Sequence, residues 1–430
     1  MKSDITIVGG GILGTSLAYF LSQITPRKIL VLDQAPQVGF HTSSRNTGKV
    51  HAPFLYDPQK KKIFARAAML GFEMWETYSK QKNIPFKKDG VLEVALDEQG
   101  IKRLEKYMSW AAQNGLQKDD IILLDKTEVK KQEPEVECQK AIFCKRDASV
   151  DYGILTRCVM EDAKQSGATF LLNTRAESIQ DRKDFLEIKT NTGIIQTELL
   201  INAAGGMSID IAHQMGIRPD LTDIHFRGEY WQAEPEYKNL TKTSVYSVPK
   251  HPEYPFLDPH WIVRVDGRCE VGPNAVPVFS PYGYTISENM KKMPSKIMEM
   301  LSSGAAKILF DSQFLSLASG EILSSVSKTV MINRVREFLP KVDPKKFKQR
   351  GTAGIRASVI DKDGKFVPDA ITVPGERSFH ILNYNSPGAT GALPFAVHVI
   401  SEMKNNGLVK IETDRCGPWS FGKISEMLVL

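Results

Sequence analysis

Cysteine is scarce in this chain and shows no pairing pattern. The five in 430 residues (Cys138, Cys144, Cys158, Cys269 and Cys416) are odd in number and form no Cys-x-x-Cys pair. That excludes a disulfide-stapled scaffold, gives no metal site, and fits a reducing compartment. Cys138 and Cys144 flank a short segment and could be neighbours across a hairpin, although free thiols are the expectation. Long apolar runs are missing too. Residues 5–21 are mostly apolar but contain three consecutive glycines, and no other stretch approaches the ~20 apolar residues that span a bilayer. A cationic n-region and a cleavage site are lacking, so a signal segment is not expected. No repeat, low-complexity tract or aromatic-interleaved basic stripe is present, which leaves nucleic acid out of the expected partners. The net charge of +6 is modest, and its densest basic runs are Lys60-Lys61-Lys62 and Lys345-Lys346-Phe347-Lys348. Solvated faces are the plain reading of both, with contact to an acidic membrane surface or an anionic substrate the other. A cytosolic, possibly membrane-peripheral protein of two or three domains is the expectation.

What is present starts at the N-terminus. Ile5-Thr6-Ile7-Val8 reads as a buried strand, Gly9-Gly10-Gly11-Ile12-Leu13-Gly14 as a Gly-x-Gly-x-x-Gly turn, and an apolar helix pattern follows. Ile29 to Leu32 is then a second buried strand, ending in Asp33. Each part suits a dinucleotide. Gly9 allows the tight turn, Gly11 lets backbone approach a pyrophosphate, and Gly14 lets helix and strand pack closely. The helix N-terminus offers unpaired N–H groups to the phosphates. Asp33, about 20 residues on, is placed for ribose hydroxyls and would repel a 2′-phosphate. The motif does not choose between FAD and NAD.

Further along, Gly39 to Ala52 is small, polar and glycine-punctuated, reading as a loop followed by a helix start with Thr42, Ser43 or Ser44 as cap. Helices are expected over 59–82, 97–114 and 151–167, and strands over 90–95 and 168–173. A hairpin turns at Asn191–Gly193, and Leu199 to Ala204 is a buried strand running into a second glycine turn, Gly205-Gly206. Residues 225–278 look strand-rich and 285–340 helical. Strand and glycine signals return at Gly351 to Arg356, Phe379 to Asn383 and Ser386 to Gly391, before a helix from Ala392 to Met403. This reads as a nucleotide domain in three pieces, 1–85, 145–215 and 350–430, interrupted by substrate-domain segments 86–144 and 216–349.

A nucleotide domain completed by a glycine turn at the far C-terminus resembles the FAD-dependent D-amino-acid oxidase superfamily. Five blocks are similar to L-2-hydroxyglutarate dehydrogenases and oxidases within it. They are Ser44 to Ala52, Phe226-Arg227-Gly228-Glu229-Tyr230, Arg264 to Gly267 with Val271 to Val276, Gly354-Ile355-Arg356-Ala357, and Asn383 to Thr390. Pro53, Leu55, Trp231 and Gly388 depart from the family pattern near the expected substrate cavity. The resemblance implies an α/β protein with a glutathione-reductase-like Rossmann FAD-binding domain and a mixed-sheet α+β substrate domain. It also implies non-covalent FAD and oxidation of an L-2-hydroxy acid, foremost L-2-hydroxyglutarate to 2-oxoglutarate. Electrons would pass to a quinone, another carrier or oxygen. Glycerol 3-phosphate or amine oxidation on the same scaffold is the rival enzymatic reading, and a flavin-binding assembly module the non-enzymatic one.

The chemistry needs a hydride acceptor, which the flavin supplies, a base for the hydroxyl proton, and a carboxylate clamp. His51 is the expected base by residue type and by its place after the loop that the resemblance sets beside the flavin. Arginine forks suit carboxylates, and Arg227, Arg264 and Arg356 stand in matched blocks. Arg264 lies in an apolar–charged alternation that equally suits exposure, and Arg356 suits flavin or substrate. Tyr230 and Asn274 are expected to hydrogen-bond a distal carboxylate or keto oxygen, and Glu229 to pair with an arginine. Gly9, Gly11, Gly14, Asp33, Ser43, Ser44, Gly205 and Arg356 are expected at the cofactor, with Gly388, Ala389 and Thr390 starting a helix whose N–H groups face the flavin.

Overall fold

A computed structural model describes every residue except 252, 253, 255–257, 304, 385, 386 and 430. Asn385 and Ser386 of the C-terminal turn lie outside the described residues. The first strand, Lys2–Val8, sits in the middle of a sheet, pairing in parallel with Ile29–Leu32 on one side and Gly193–Asn202 on the other. The order across that sheet is 371–374, 378–383, 193–202, 2–8, 29–32, 169–171, parallel except at the antiparallel edge strand 371–374. Strands buried on both faces need covering helices. Ile12–Ile24, Tyr152–Gln165 and Ala392–Asn405 pack there, with Leu17, Phe20, Leu155, Phe395 and Val399 in one core. The expected hairpin is present as Leu186–Thr190 against Gly193–Asn202.

A second sheet runs 349–350, 231–232, 269–272, 260–263, 244–247, 91–95, 140–144, 121–125, and is mixed because 244–247 and 91–95 pair in parallel. Side chains alternate across its strands. Leu92, Val94, Trp261 and Val263 face a core with Phe338 and Phe347, while Val91, Ala95, Tyr246 and Ile262 face one with Ala52, Phe54 and Leu104. A three-stranded sheet, 276–278, 222–228 and 354–360, pairs the Arg227 segment with the Arg356 segment.

Local chemistry sets the helix limits. Asp97 and Asp151 cap Glu98–Gln113 and Tyr152–Gln165 by accepting N–H bonds from Gly100 (2.7 Å) and Ile154 (3.0 Å). Lys62–Lys82 ends on Asn83 in the left-handed region, φ 53°. Two expectations change. No helix follows Thr42, Ser43 or Ser44: that stretch stays a turn-rich loop up to strand Lys49–Val50, because the side chains are spent on other contacts. Cys144 ends strand Lys140–Cys144 and Cys138 lies just before that strand's start, so the two do not face each other across a hairpin, and all five cysteines are free thiols. The Lys345–Lys348 run is largely neutralised, Lys346 by Glu236 (3.1 Å) and Lys348 by Glu234 (2.6 Å). Among the described residues no helix is long and apolar enough to cross a membrane.

Candidate active site

The glycine turn closes tightly. Gly9 has φ +113°, and a Cβ there would stand 2.3 Å from the Ala203 carbonyl oxygen. A Cβ on Gly14 would stand 1.9 Å from the Gly9 carbonyl oxygen, so helix Ile12–Ile24 can approach its strand only through glycine. Asp33 is held at the strand ends: its Oδ2 accepts from Gly10 N–H and its Oδ1 from Ala35 N–H, both at 2.7 Å. Burial pushes its pKa up against those two bonds. Each oxygen keeps a second lone pair for a ribose hydroxyl. Ser43 does something the sequence did not announce, accepting the Ile12 N–H at 2.9 Å and so occupying one of the helix donors.

A long cleft passes this turn in two compartments of about 1060 and 1040 Å³. Asp33, Gly39 and Thr174 line the outer one, and Lys49, His51, Arg356, Gly388 and Ala389 the inner. Gly11, Thr42, Ser43 and Gly205 line both. The donor set along it fits FAD: a carboxylate, Asp33, for the ribose and backbone turns at Gly11, Gly205 and Gly388.

The inner compartment is built by a short ladder. Lys49–Val50 pairs antiparallel with Ala148–Ser149, Lys49 opposite Ser149 and Val50 opposite Ala148. One step further sets His51 opposite Asp147. The fully buried Asp147 accepts from His51 Nδ1 through Oδ2 (2.9 Å) and from the Ala52 N–H through Oδ1 (2.6 Å). Its carboxylate holds the ring proton on Nδ1 and leaves Nε2 as the basic nitrogen. The His51 N–H donates to Thr390 Oγ1 at 3.1 Å. Lys49 lines the same wall, its ammonium bound to Asp89 (3.1 Å) and Ser149 Oγ (2.5 Å), and burial pushes its pKa down. Arg356 is half-buried there, and desolvation lowers its pKa to about 10, leaving it cationic at neutral pH.

Other expected residues stand elsewhere. Arg227 donates to Glu229 (3.1 Å) and to the Gly283 carbonyl (3.0 Å), the pairing expected of Glu229. Arg264 donates to Glu270 at 2.9 and 2.5 Å and to the Asn46 carbonyl, and stacks 5.4 Å from the Tyr230 ring. Asn274 accepts the Glu229 N–H (2.8 Å) and donates to Ser324 Oγ (3.0 Å). Neither arginine, nor Asn274, nor the buried Tyr230, whose hydroxyl burial raises to about 12, is among the residues lining the cleft. The neighbouring carboxylates explain it: each arginine meets its own glutamate first. Ser44 turns its hydroxyl to the Phe40 and His41 carbonyls and lies outside the cleft. Thr390 stands behind the cleft wall, Trp75 Nε1 bonds the Ala389 and Thr390 carbonyls, and the expected helix starts at Ala392 instead of Gly388. Breaking the Arg264 pair strands a nearly buried carboxylate. Arg264→Ala is therefore expected to destabilise the fold by about 3–5 kcal/mol in urea unfolding, and Glu270→Gln to recover most of that. Failure to recover would give Arg264 a role beyond neutralising Glu270.

A dinucleotide turn, a long cleft and a histidine–carboxylate pair on its inner wall define a flavin-dependent oxidoreductase. The FAD-dependent oxidoreductase family DAO matches residues 4–401, and the chain belongs to it. Its curated relatives include L-2-hydroxyglutarate dehydrogenases. The mitochondrial protein of Caenorhabditis elegans is 31% identical over 416 residues, with 94% of each chain covered. That of Escherichia coli K12 is 28% identical over 404 residues, with 93% of each covered. Among solved structures, FAD-bound L-alpha-glycerophosphate oxidase from Mycoplasma pneumoniae superposes with a TM-score of 0.75 at 20% identity, covering 96% of each chain. L-proline dehydrogenase from P. horikoshii does so at 0.67 and 18%, covering 95% of each. These structural likenesses carry the fold: a Rossmann-like FAD part with a mixed-sheet partner. The protein is an FAD-dependent oxidoreductase.

Proposed function

We propose that this enzyme oxidises L-2-hydroxyglutarate to 2-oxoglutarate, with segments 1–85, 145–215 and 350–430 holding FAD and 86–144 and 216–349 facing the substrate. The observation carrying the reading is the His51–Asp147 pair on the wall that Arg356 also lines. FAD, when bound, supplies the two-electron acceptor for the carbinol hydride. His51 Nε2 takes the hydroxyl proton as the carbinol carbon loses its hydrogen, and Asp147 steadies the imidazolium that results. Arg356 pairs with the carboxylate next to that carbon, orienting it so that the L-isomer turns its one carbinol hydrogen to the cofactor. Gly11, Gly205, Gly388 and Ala389 serve the cofactor by close backbone approach. The relatives named for this substrate support the choice of acid.

Anaerobic mixing of the holoenzyme with candidate substrates tests it. L-2-hydroxyglutarate should bleach the flavin absorbance, and the D-isomer, glycerol 3-phosphate and glycine should not. Bleaching by glycerol 3-phosphate or an amine alone would overturn the reading, and bleaching by none would point to a binding module.

A further inference from the structure

The outer compartment of the cleft lies away from the His51 wall, and Gly9, Asp33, Gly39 and Thr174 line it on the glycine-turn side. A turn from outside the FAD-binding sheet closes it. Residues 279–285, between strand Val276–Val278 and helix Ile286–Ser302, bring Pro281 and Tyr282 to its wall. The approach is close. A Cβ on Gly206 would stand 2.6 Å from the Pro281 Cβ, so the second glycine turn meets this one only through a residue without a side chain. Internal bonds fix the turn's shape: the Tyr282 N–H donates to Ser280 Oγ (3.1 Å) and the Gly283 N–H to the Ser280 carbonyl (3.0 Å). Arg227, which lies off the cleft, donates to the Gly283 carbonyl at 3.0 Å. Two rings then fasten the turn to the loop after Gly39. Tyr282 packs 4.7 Å from the His41 ring, and Tyr284 stacks on the other side of His41 at 6.0 Å, with the Arg45 guanidinium 4.6 Å from its centre.

Tyr282 carries the chemistry. The Gln34 side-chain amide donates to its hydroxyl, and both residues line the compartment. Gln34 directly follows Asp33, so the phenol stands at the strand end whose carboxylate is set for ribose hydroxyls. Burial pushes the phenol's pKa up, and the group keeps its proton. A hydroxyl has one proton to give and lone pairs with which to accept. Gln34 uses an accepting side, and no group among the described residues takes the proton. Polar groups in folded interiors find partners, so a donor left over on the wall of a dinucleotide cleft points to an acceptor on the ligand. The oxygens of a ribose and a diphosphate are such acceptors.

We infer that the 279–285 turn is a strap over the ribose–diphosphate part of FAD, with the Tyr282 hydroxyl donating to that part and His41 positioning the phenol. The strap goes beyond the proposed reaction and holds whichever acid is oxidised. The experiment follows flavin release from diluted holoenzyme, read as the rise in fluorescence of freed FAD, beside the visible spectrum of the bound flavin. Tyr282→Phe removes the proton and keeps the ring, and release should quicken about three- to tenfold, the worth of one hydrogen bond. Tyr282→Ala removes the ring contact as well, and release should quicken about 10- to 100-fold. The spectrum should stay that of wild type in both, because Tyr282 lines the outer compartment and not the inner. Unchanged release from Tyr282→Ala, or faster release together with an altered spectrum, would overturn the strap. Placed on Gln34→Leu, Tyr282→Phe should still quicken release; no further effect there would mean that the hydroxyl serves Gln34 alone, and the donation to FAD falls. His41→Ala should quicken release by itself yet add little to Tyr282→Ala, since it acts through the phenol. Multiplied effects in that double variant would overturn the positioning role of His41.

Discussion

His51→Ala is expected to slow flavin reduction by L-2-hydroxyglutarate by about two to four orders of magnitude while FAD stays bound. Stopped-flow reduction under anaerobic conditions reads the rate, and the protein-to-flavin ratio reads the cofactor. Asp147→Asn is expected to be milder, about one to two orders of magnitude, because the imidazole remains but its ring proton is no longer fixed on Nδ1. The double variant should be no slower than His51→Ala alone, since Asp147 acts through His51. Multiplicative losses would give Asp147 a separate role. Reduction of His51→Ala at the wild-type rate would move the base elsewhere.

A substitution at Gly14 should cost the cofactor itself. The Cβ of Gly14→Ala would lie 1.9 Å from the Gly9 carbonyl oxygen, which is backbone and cannot swing aside. Helix and turn must separate, at a cost of roughly 1–3 kcal/mol or more for overpacking, and the turn loses the shape that meets a pyrophosphate. The purified variant should carry little flavin and melt at a lower temperature than wild type, with added FAD restoring only part. Gly320 is the control. It lies inside helix Ser312–Val326 with nothing within 4 Å of an added Cβ, so Gly320→Ala should gain about 0.5–1 kcal/mol. Equal behaviour of the two variants would mean the closeness at Gly14 does not matter.

The sequence was most legible where structure is contiguous. Strand, glycine turn, helix and Asp33 lie within one short stretch, and their spacing alone announces a dinucleotide site. Asp147 was illegible because its role comes from register: a two-residue ladder, Lys49–Val50 with Ala148–Ser149, aligns segments nearly a hundred positions apart, and two residues display no periodicity. Arg227 and Arg264 illustrate the opposite case. Their blocks match the family, yet Glu229 and Glu270 lie two and six positions away, and each carboxylate accepts from its neighbouring guanidinium. Lys61 sits inside a basic run that reads as a solvated face, yet it is half-buried beside the Tyr56 ring while Lys60 and Lys62 are exposed.

The central place of strand Lys2–Val8 has a consequence for synthesis on the ribosome. Its early neighbour, Ile29–Leu32, follows at once, but its other neighbour, Gly193–Asn202, is made only after roughly 185 more residues, about 10–40 s at ~5–20 residues per second. Through that interval one side of an apolar, β-branched strand stays bare, the kind of edge that recruits foreign strands. Strand Ser378–Asn383, which closes the far side of Gly193–Asn202, and Thr390, which fixes His51, arrive later still. The strand that leads into the glycine turn is thus among the last to be finished, and a nascent chain halted before residue 193 holds that turn without the sheet that shapes it.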